Sequence, residues 1–445
     1  MKRLLKQLIP SVVFDRYHYA LAKLAAFLYG NPSEKMIVIG VTGTNGKSTV
    51  CAMIARIFTQ AGFRVGLAST VLFRVANEEW LNDTKMTMLG RMQLQRLLRR
   101  MVRAQCAYAV VETSSEGIKQ YRHVGVRYDV AVFTNLTPEH LESHGGFEKY
   151  KNAKGELFAK LSRDPVKMVH GQSITKVSIV NLDSPHAQFF LGFSAEKKYG
   201  FFTERRAGDE AHTSLQHLTT VKAQNVVLTA YGSTFTVSSV PFTLRVPGLF
   251  NIENALAAVS VGLSQGVTLA TMADALATLA GVPGRLEFVN VGQSFTAIVD
   301  YAPEPESFRR LYEVVALLPK KRVIHVLGST GGGRDKDRRP ILGRLAAENA
   351  DIVIVTNEDP YDDDPMTIIN DVARGARDGG KKDDENLFMI LDRGEAIKKA
   401  VALASAGDLV LVTGKGAEQA MCVAGGKKIP WDDRAKLREA IAKNI

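Results

Sequence analysis

An α/β fold in two successive domains, each built on a parallel sheet, is what this sequence predicts. Three observations carry the prediction. Short apolar runs alternate with segments of helical periodicity along most of the chain, the pattern of strand–helix–strand units that leave helices on both faces of a sheet. One such strand, Met36 to Val41, runs directly into a glycine-rich turn and a helix start, Thr42-Gly43-Thr44-Asn45-Gly46-Lys47-Ser48-Thr49. Finally, 445 residues and 48.7 kDa exceed what one small core organises.

Composition excludes several classes. With 46% hydrophobic and 23% charged residues the chain is neither disordered nor of low complexity. No apolar run reaches the roughly 18–20 residues of a membrane-spanning helix. Lys+Arg 57 against Asp+Glu 46 gives +11, which favours anionic partners: nucleotides, phosphorylated substrates, nucleic acid or an anionic membrane surface. Lysines and arginines are not clustered with interleaved aromatics, so nucleic acid is not an expected partner. Cys51, Cys106 and Cys422 stand far apart without a CxxC pair, which excludes a disulfide framework and a cysteine zinc ribbon and fits a reducing cytoplasm.

In chain order, Met1 to Gly30 comes first. Residues 1–33 form an N-terminal arm with basic residues ahead of apolar ones. Pro10, Asp15, Arg16 and Lys23 interrupt the apolar stretch and no small-residue cleavage site follows, against a signal peptide. Helical spacing puts Tyr17, Leu21, Leu24 and Phe27/Leu28 on one stripe, expected to dock on the next domain. The alternative is a peripheral membrane contact, with Lys2, Arg3 and Lys6 meeting anionic lipid.

The glycine turn follows. Backbone N–H groups freed by Gly43 and Gly46 wrap a phosphate at the helix N-terminus, where the dipole favours anions. Lys47 neutralises β/γ-phosphate charge and the Ser48 hydroxyl ligates Mg²⁺. The strict P-loop spacing demands Gly at 41, which is Val, so the loop is a variant. Residues 43–49 are therefore expected to bind ATP or a close relative. A buried-type strand, Ala107 to Glu112, ends in the carboxylate expected to serve the metal. Another strand, Tyr128 to Phe133, leads into Thr134–His140. His140 and His144 are spaced i, i+4, but HLESH is not the HExxH of zinc proteases. A more β-rich insert is expected near Lys176–Leu249, followed by strands at Thr296–Tyr301, Arg322–Gly328, Ile352–Thr356 and Leu409–Thr413. Gly331–Gly333 is loose glycine punctuation, not a GxGxxG fingerprint.

TGTNGKST, ETSSEG (Glu112–Gly117) and FTNLTPEHLESHG with YKNAKGELF resemble the Mur ligase family, whose members join an amino acid to a carboxylate using ATP. VPGLFNIENALAA (Val246–Ala258), VPGRLE (Val282–Glu287), VDYAPEPESF (Val299–Phe308), GGRDKDRRP (Gly332–Pro340), TNEDPYDDDP (Thr356–Pro365), DRGEAI (Asp392–Ile397) and TGKGAE (Thr413–Glu418) follow in family order. The resemblance is greatest to the branch that adds the third residue of the peptidoglycan stem peptide. It implies a central P-loop ATPase domain at 34–283 and a Rossmann-like α/β domain at 284–445. It further implies that Ser48, Glu112, His140 and a carbamylated Lys154 hold Mg²⁺, and that Asn251 and Asn254 lie near adenine. Asp300 holds the ribose with Tyr301 beside it, and Arg285 and Lys336 reach the nucleotide from the last domain. Ser114, Ser115, Glu358, Asp359, Tyr361, Gly414 and Glu418 are the residues expected at the acceptor and amino acid.

Three departures qualify this. Family members carry a UDP-gripping domain ahead of the P-loop; here an arm of helix size stands there, so an acceptor without UDP, lipid-linked or peptidic, is a second expectation. The family's D-N-P-R, whose arginine pairs with a diaminopimelate carboxylate, reads Glu358-Asp359-Pro360-Tyr361, and tyrosine does not replace a bidentate arginine. The acids Glu358, Asp359 and Asp362–Asp364 suit a cationic amino acid such as lysine, unless they form only a solvated acidic loop. GKGHE reads Gly414-Lys415-Gly416-Ala417-Glu418 and DYAHTP reads Asp300-Tyr301-Ala302-Pro303-Glu304-Pro305, both losing a histidine. The expected function is thus a cytoplasmic ATP- and Mg²⁺-dependent amino-acid ligase of muramoyl-peptide type, working through an acyl phosphate. The alternative is the same chemistry on an amino-acid polymer, a lipid-linked precursor or folate.

Overall fold

The computed structural model describes residues 11–139, 141–203, 218–333 and 336–444. Among them the larger sheet has eleven strands. Its centre is parallel, in the spatial order Leu218–Thr229, Lys197–Thr203, Val177–Asn181, Val130–Phe133, Ile37–Thr42, Tyr108–Glu112, Val65–Ala68. Antiparallel strands finish both edges: Gly232–Val237 and Val240–Leu244 on one side, Leu72–Val75 and Glu78–Leu81 on the other. Alternation along the strands separates two cores. Ile39, Val41 and Val110 face helices Lys47–Gln60 and Leu249–Ser264, whereas Val38, Ala109 and Val111 face helices Arg91–Arg103 and Phe147–Arg163.

The second sheet runs Glu287–Phe288, Thr296–Asp300, Leu409–Thr413, Val323–Leu327, Ile352–Thr356, Leu387–Ile390, parallel except for its first strand. It too has a core on each face. The two α/β units meet through Val71, Val282 and Ala417, through Tyr231 of a hairpin turn against Phe288, and through ion pairs such as Arg310–Glu253 at 3.0 Å.

The stretch expected to be β-rich carries Val177–Asn181, Lys197–Thr203 and Leu218–Thr229, which extend the parallel sheet, ahead of its two antiparallel strands; the first is buried along its length, as a central strand must be. One expectation changes. The arm forms a helix, Ser11–Leu28, that docks on Arg91–Arg103 by its alanines, not by its large apolar stripe. Ala22, Ala25 and Ala26 are buried, and a side chain at Gly125 would meet Ala22 O at 2.8 Å and Ala26 at 3.1 Å. Small residues win that face because the backbones approach so closely.

Candidate functional site

The central strand Ile37–Thr42 lies between Tyr108–Glu112 and Val130–Phe133, so the chain leaves neighbouring strand ends in opposite directions and opens a crevice beyond their C-terminal ends. The glycine turn fills that crevice. Gly46 has φ +81°, and a Cβ there would stand 2.2 Å from Asn254 Oδ1; one at Gly43 would stand 1.9 Å from Thr134 Oγ1. Not all the loop amides are open to a ligand: Thr44 and Asn45 donate to Asn135 O and Oδ1, both at 2.9 Å. The donors left for an anion are those of the first turn of helix Lys47–Gln60.

Lys47 Nζ donates to Thr44 O at 2.7 Å, across the mouth of the loop. Ser48 Oγ donates to Glu112 Oε2 at 2.9 Å, and Glu112 also accepts from Thr70 N at 2.7 Å and Thr70 Oγ1 at 2.8 Å. A buried carboxylate and a hydroxyl at the foot of a phosphate cradle are the oxygen donors a hard cation such as Mg²⁺ takes. Among the described residues no group of three His, Cys, Asp or Glu side chains could hold a metal, so the rest of such a shell has to come from phosphate, water or a modified side chain.

Lys154 fits that last possibility. It is 2% exposed, donates to Gly43 O at 2.6 Å and sits 4.3 Å from the centre of the Tyr150 ring, whose hydroxyl lies 3.1 Å from Thr44 Oγ1. Burial first, then the nearby Lys47, pushes its pKa well below the ordinary lysine value. That shift favours the neutral amine, the nucleophilic form, over the ammonium. His140 lies outside the described residues.

Two cavities open between the α/β units. The smaller, about 90 Å³, is lined by Asn45, Gly46, Thr49, Asn251, Asn254, Arg285 and Asp300 with apolar Phe250 and Leu286. Asp300 spends its carboxylate on the amides of Leu286 at 2.6 Å and Ala302 at 2.7 Å, and burial raises its pKa against the pull of Arg285. The larger cavity, about 490 Å³, brings Lys47, Ser48, Glu112, Ser114, Ser115 and Lys154 together with Arg285, Tyr301, Glu358, Asp359, Tyr361 and Glu418. The Arg285 guanidinium stacks 4.3 Å above the Tyr301 ring and lines both cavities. Ser114 caps the short helix Ser115–Lys119 through Gly117 N at 3.1 Å.

Several expected residues behave differently. Lys336 is exposed and lines neither cavity; Thr330 and Arg338, which bond each other, line the larger one. Gly414 is not a lining residue but a seat: a Cβ on it would meet Glu358 Oε2 at 2.5 Å. Most of the acidic loop is already engaged. Asp359 binds Lys85 Nζ at 2.5 Å, Lys415 Nζ at 2.9 Å and Cys422 N at 2.7 Å, and Glu418 binds Lys85 at 3.0 Å and Lys415 at 2.6 Å. Asp362 and Asp363 accept from the amides of Gly425 and Gly332, and Asp364 caps the helix Pro365–Asp378. Glu358 is the exception. It is 4% exposed, its carboxylate has no hydrogen-bond or ion-pair partner among the described residues, and burial followed by Asp359 raises its pKa against the pull of Arg393, Lys415 and Arg338.

Thr70, Lys85, Arg122, Tyr150 and Arg338 line the same cavity and were not singled out by sequence. Only Tyr150 carried a readable signal, being one helical turn before Lys154.

The sequence matches the Mur ligase middle domain over residues 41–262 and the Mur ligase glutamate ligase domain over 284–416. It is 37% identical to the UDP-N-acetylmuramyl-tripeptide synthetase of Roseiflexus sp. (strain RS-1), over 98% of this chain and 84% of that one. It is 36% identical to a UDP-N-acetylmuramoyl-L-alanyl-D-glutamate–2,6-diaminopimelate ligase of Geobacillus thermodenitrificans, over 97% and 84%. Folylpolyglutamate synthase of Mycobacterium tuberculosis shares the fold, with a TM-score of 0.66 at 17% identity over 89% of this chain and 92% of that one.

Proposed function

This chain belongs to the Mur ligase family, ATP-dependent ligases that form C–N bonds, and from that membership we propose that it adds a cationic amino acid to the terminal carboxylate of a muramoyl-peptide acceptor. The observation that carries the reading is the larger cavity, where a P-loop, a buried oxygen pair and a buried lysine from one α/β unit face arginines and a buried carboxylate from the other.

The chemistry follows from the donors. An acceptor carboxylate oxygen attacks the γ-phosphorus of ATP, the bond to the β-phosphate oxygen breaks, and ADP leaves behind an acyl phosphate. The amino acid's neutral amine then attacks the acyl carbon, phosphate departs, and the amine loses its proton. Charge accumulates on oxygen in each step, so Lys47, the first-turn amides and Arg285 stabilise it from fixed positions. Ser48, Glu112, His140 and a carbamate on Lys154 are the residues that would hold Mg²⁺, which supplies further neutralisation of phosphate charge. Burial favours the form of Lys154 suited to that modification: a neutral amine adds to carbon dioxide and releases one proton, giving an anionic oxygen donor. Asn251, Asn254 and Asp300 take the base and sugar side, and Ser114, Ser115 and Arg122 the acceptor side.

Glu358 and Tyr361 support a cationic amino acid over diaminopimelate. Tyr361 offers no bidentate cation for a distal carboxylate, while the unpartnered Glu358 gains most from an ammonium. ADP and phosphate release with Mg-ATP, measured over a panel of amino acids crossed with acceptors with and without UDP, tests the reading. Turnover with lysine or ornithine and UDP-muramoyl-dipeptide is the expected result. Turnover only with diaminopimelate overturns the specificity, turnover only with a UDP-free acceptor or folate overturns the acceptor, and AMP with pyrophosphate overturns the acyl-phosphate route.

A further inference from the structure

The helix Ser11–Leu28 presents a second face that nothing among the described residues covers. Val13, Tyr17, Leu24, Phe27 and Leu28 fall on a narrow arc of the helix opposite the docked alanines, with exposures of 53, 58, 50, 73 and 60%. Exposed Arg16 and Lys23 flank that arc, and no carboxylate occurs from Arg16 to Asn31. The supporting helix Arg91–Arg103 carries Arg91, Arg96, Arg99, Arg100 and Arg103 and no carboxylate. Arg96 Nε reaches the Tyr29 hydroxyl at 3.3 Å and Arg99 lies beside Gly30, so this positive charge borders the C-terminal half of the stripe.

We propose that this face docks on an anionic phospholipid bilayer, with the apolar stripe seated in the headgroup–acyl boundary and the flanking arginines and lysines on lipid phosphates. The charge pattern selects this occupant. A second copy of the chain, packed about a two-fold axis, would set Arg16, Lys23, Arg96 and Arg99 against their own images. An anionic surface meets all of them with opposite charge, each worth roughly a fivefold gain in binding near the membrane. The helix lies on the bilayer and does not cross it, since no described helix is long and apolar enough to do so. On the alanine side of the helix the Tyr19 ring is 6.5 Å from that of Tyr121, and the adjoining Arg122 lines the larger cavity beside Met88, whose carbonyl it bonds.

Sedimentation of the full chain with phosphatidylglycerol/phosphatidylcholine vesicles and with pure phosphatidylcholine vesicles, at low and at raised salt, tests this. Binding to the anionic vesicles alone, weakened at least tenfold by salt, is expected. Leu24→Asp/Phe27→Asp and, separately, Arg96→Glu/Arg99→Glu each weaken it at least tenfold, while ADP release in solution by the first variant stays at the wild-type rate. Absent binding, equal binding to both vesicles, or full binding by either variant overturns the proposal. So does loss of ADP release in Leu24→Asp/Phe27→Asp, which makes the stripe structural, or a solution dimer that this variant dissolves, which makes a second copy the occupant.

Discussion

Lys85 belongs to the central α/β unit, yet its ammonium sits between two carboxylates of the C-terminal one, 2.5 Å from Asp359 and 3.0 Å from Glu418. Side-chain exposures of 6% for Lys85 and Asp359 and 16% for Glu418 leave little water to screen the contact. Burial works against the charge on Lys85, but Glu418 and Asp359 outweigh it and raise the pKa; burial likewise opposes the charge on Asp359, which Lys415 and Lys85 hold below the ordinary range. Lys85→Met keeps the stem and removes the charge. Removing one partner of a buried ion pair costs about 3–5 kcal/mol. Lys415 stays within 2.9 Å of both acids, so the lower end applies, about 3 kcal/mol, or roughly 100-fold in an equilibrium constant. Because the contact joins the two units, the cost falls on the closed arrangement and not on either hydrophobic core. The expected outcome is a fall of about 100-fold in kcat/KM for the amino acid with a small change in Tm, read by coupled ADP release and thermal unfolding. In a Glu418→Gln background the same substitution should cost less, since one of the stranded charges is gone. A change in kcat/KM below threefold, or a loss appearing mainly as a lowered Tm, would refute the assignment of Lys85 as the closing contact.

Lys154→Met should lower turnover by more than 100-fold with the fold intact by circular dichroism, and stripping carbon dioxide from the buffer should slow the wild type but not the variant; indifference of the wild type to carbon dioxide removes the carbamate from the account. Glu358→Gln should raise KM for a cationic amino acid about 10- to 100-fold, the value of roughly 1.5–3 kcal/mol for a hydrogen bond to a charged group, with KM for ATP unchanged; equal losses for both substrates would mark Glu358 as structural. His123 and His325 are buried and held neutral, each with its pKa lowered to about 3, by burial and then by Lys160 and Arg163 for the first and by burial and then Arg393 for the second. A group with a depressed folded pKa contributes stability that is complete above its unfolded value near 6.5 and is lost as pH falls toward 3. Near pH 5 the unfolded chain therefore binds about two more protons at these sites, a slope of about 2.7 kcal/mol per pH unit. Urea unfolding at pH 5 and pH 6 measures it, and a flat profile contradicts the buried neutral histidines.

What the sequence made legible was local or rule-bound. Strand, glycine turn and helix at Ile37–Gln60 follow one another along the chain, and Ser48 finds Glu112 because the metal-side carboxylate of a P-loop fold stands at the end of an adjacent parallel strand. What stayed hidden depended on close approach or on distance along the chain. Periodicity located the apolar stripe of the arm correctly but not its direction, because the buried side is chosen by how near two backbones can come, and Ala22, Ala25 and Ala26 allow a closer approach than Leu24 or Phe27.

The acidic run at 358–364 shows how charge counted along a chain differs from charge offered to a substrate. Asp359 is neutralised by lysines at 85 and 415, and Asp362, Asp363 and Asp364 bind backbone amides, so one carboxylate, Glu358, remains to meet a ligand cation. On the proposed function, which cation it would meet follows from the reaction. The amino group that attacks the acyl phosphate must be neutral, and a carboxylate held against it would stabilise the ammonium and slow the attack. A side-chain ammonium carries no such conflict and keeps its proton throughout. On the proposed reaction Glu358 would therefore select the far end of the amino acid and not the end that reacts, with a side-chain ammonium adding to the partial compensation that Arg393, Lys415 and Arg338 already give that buried carboxylate.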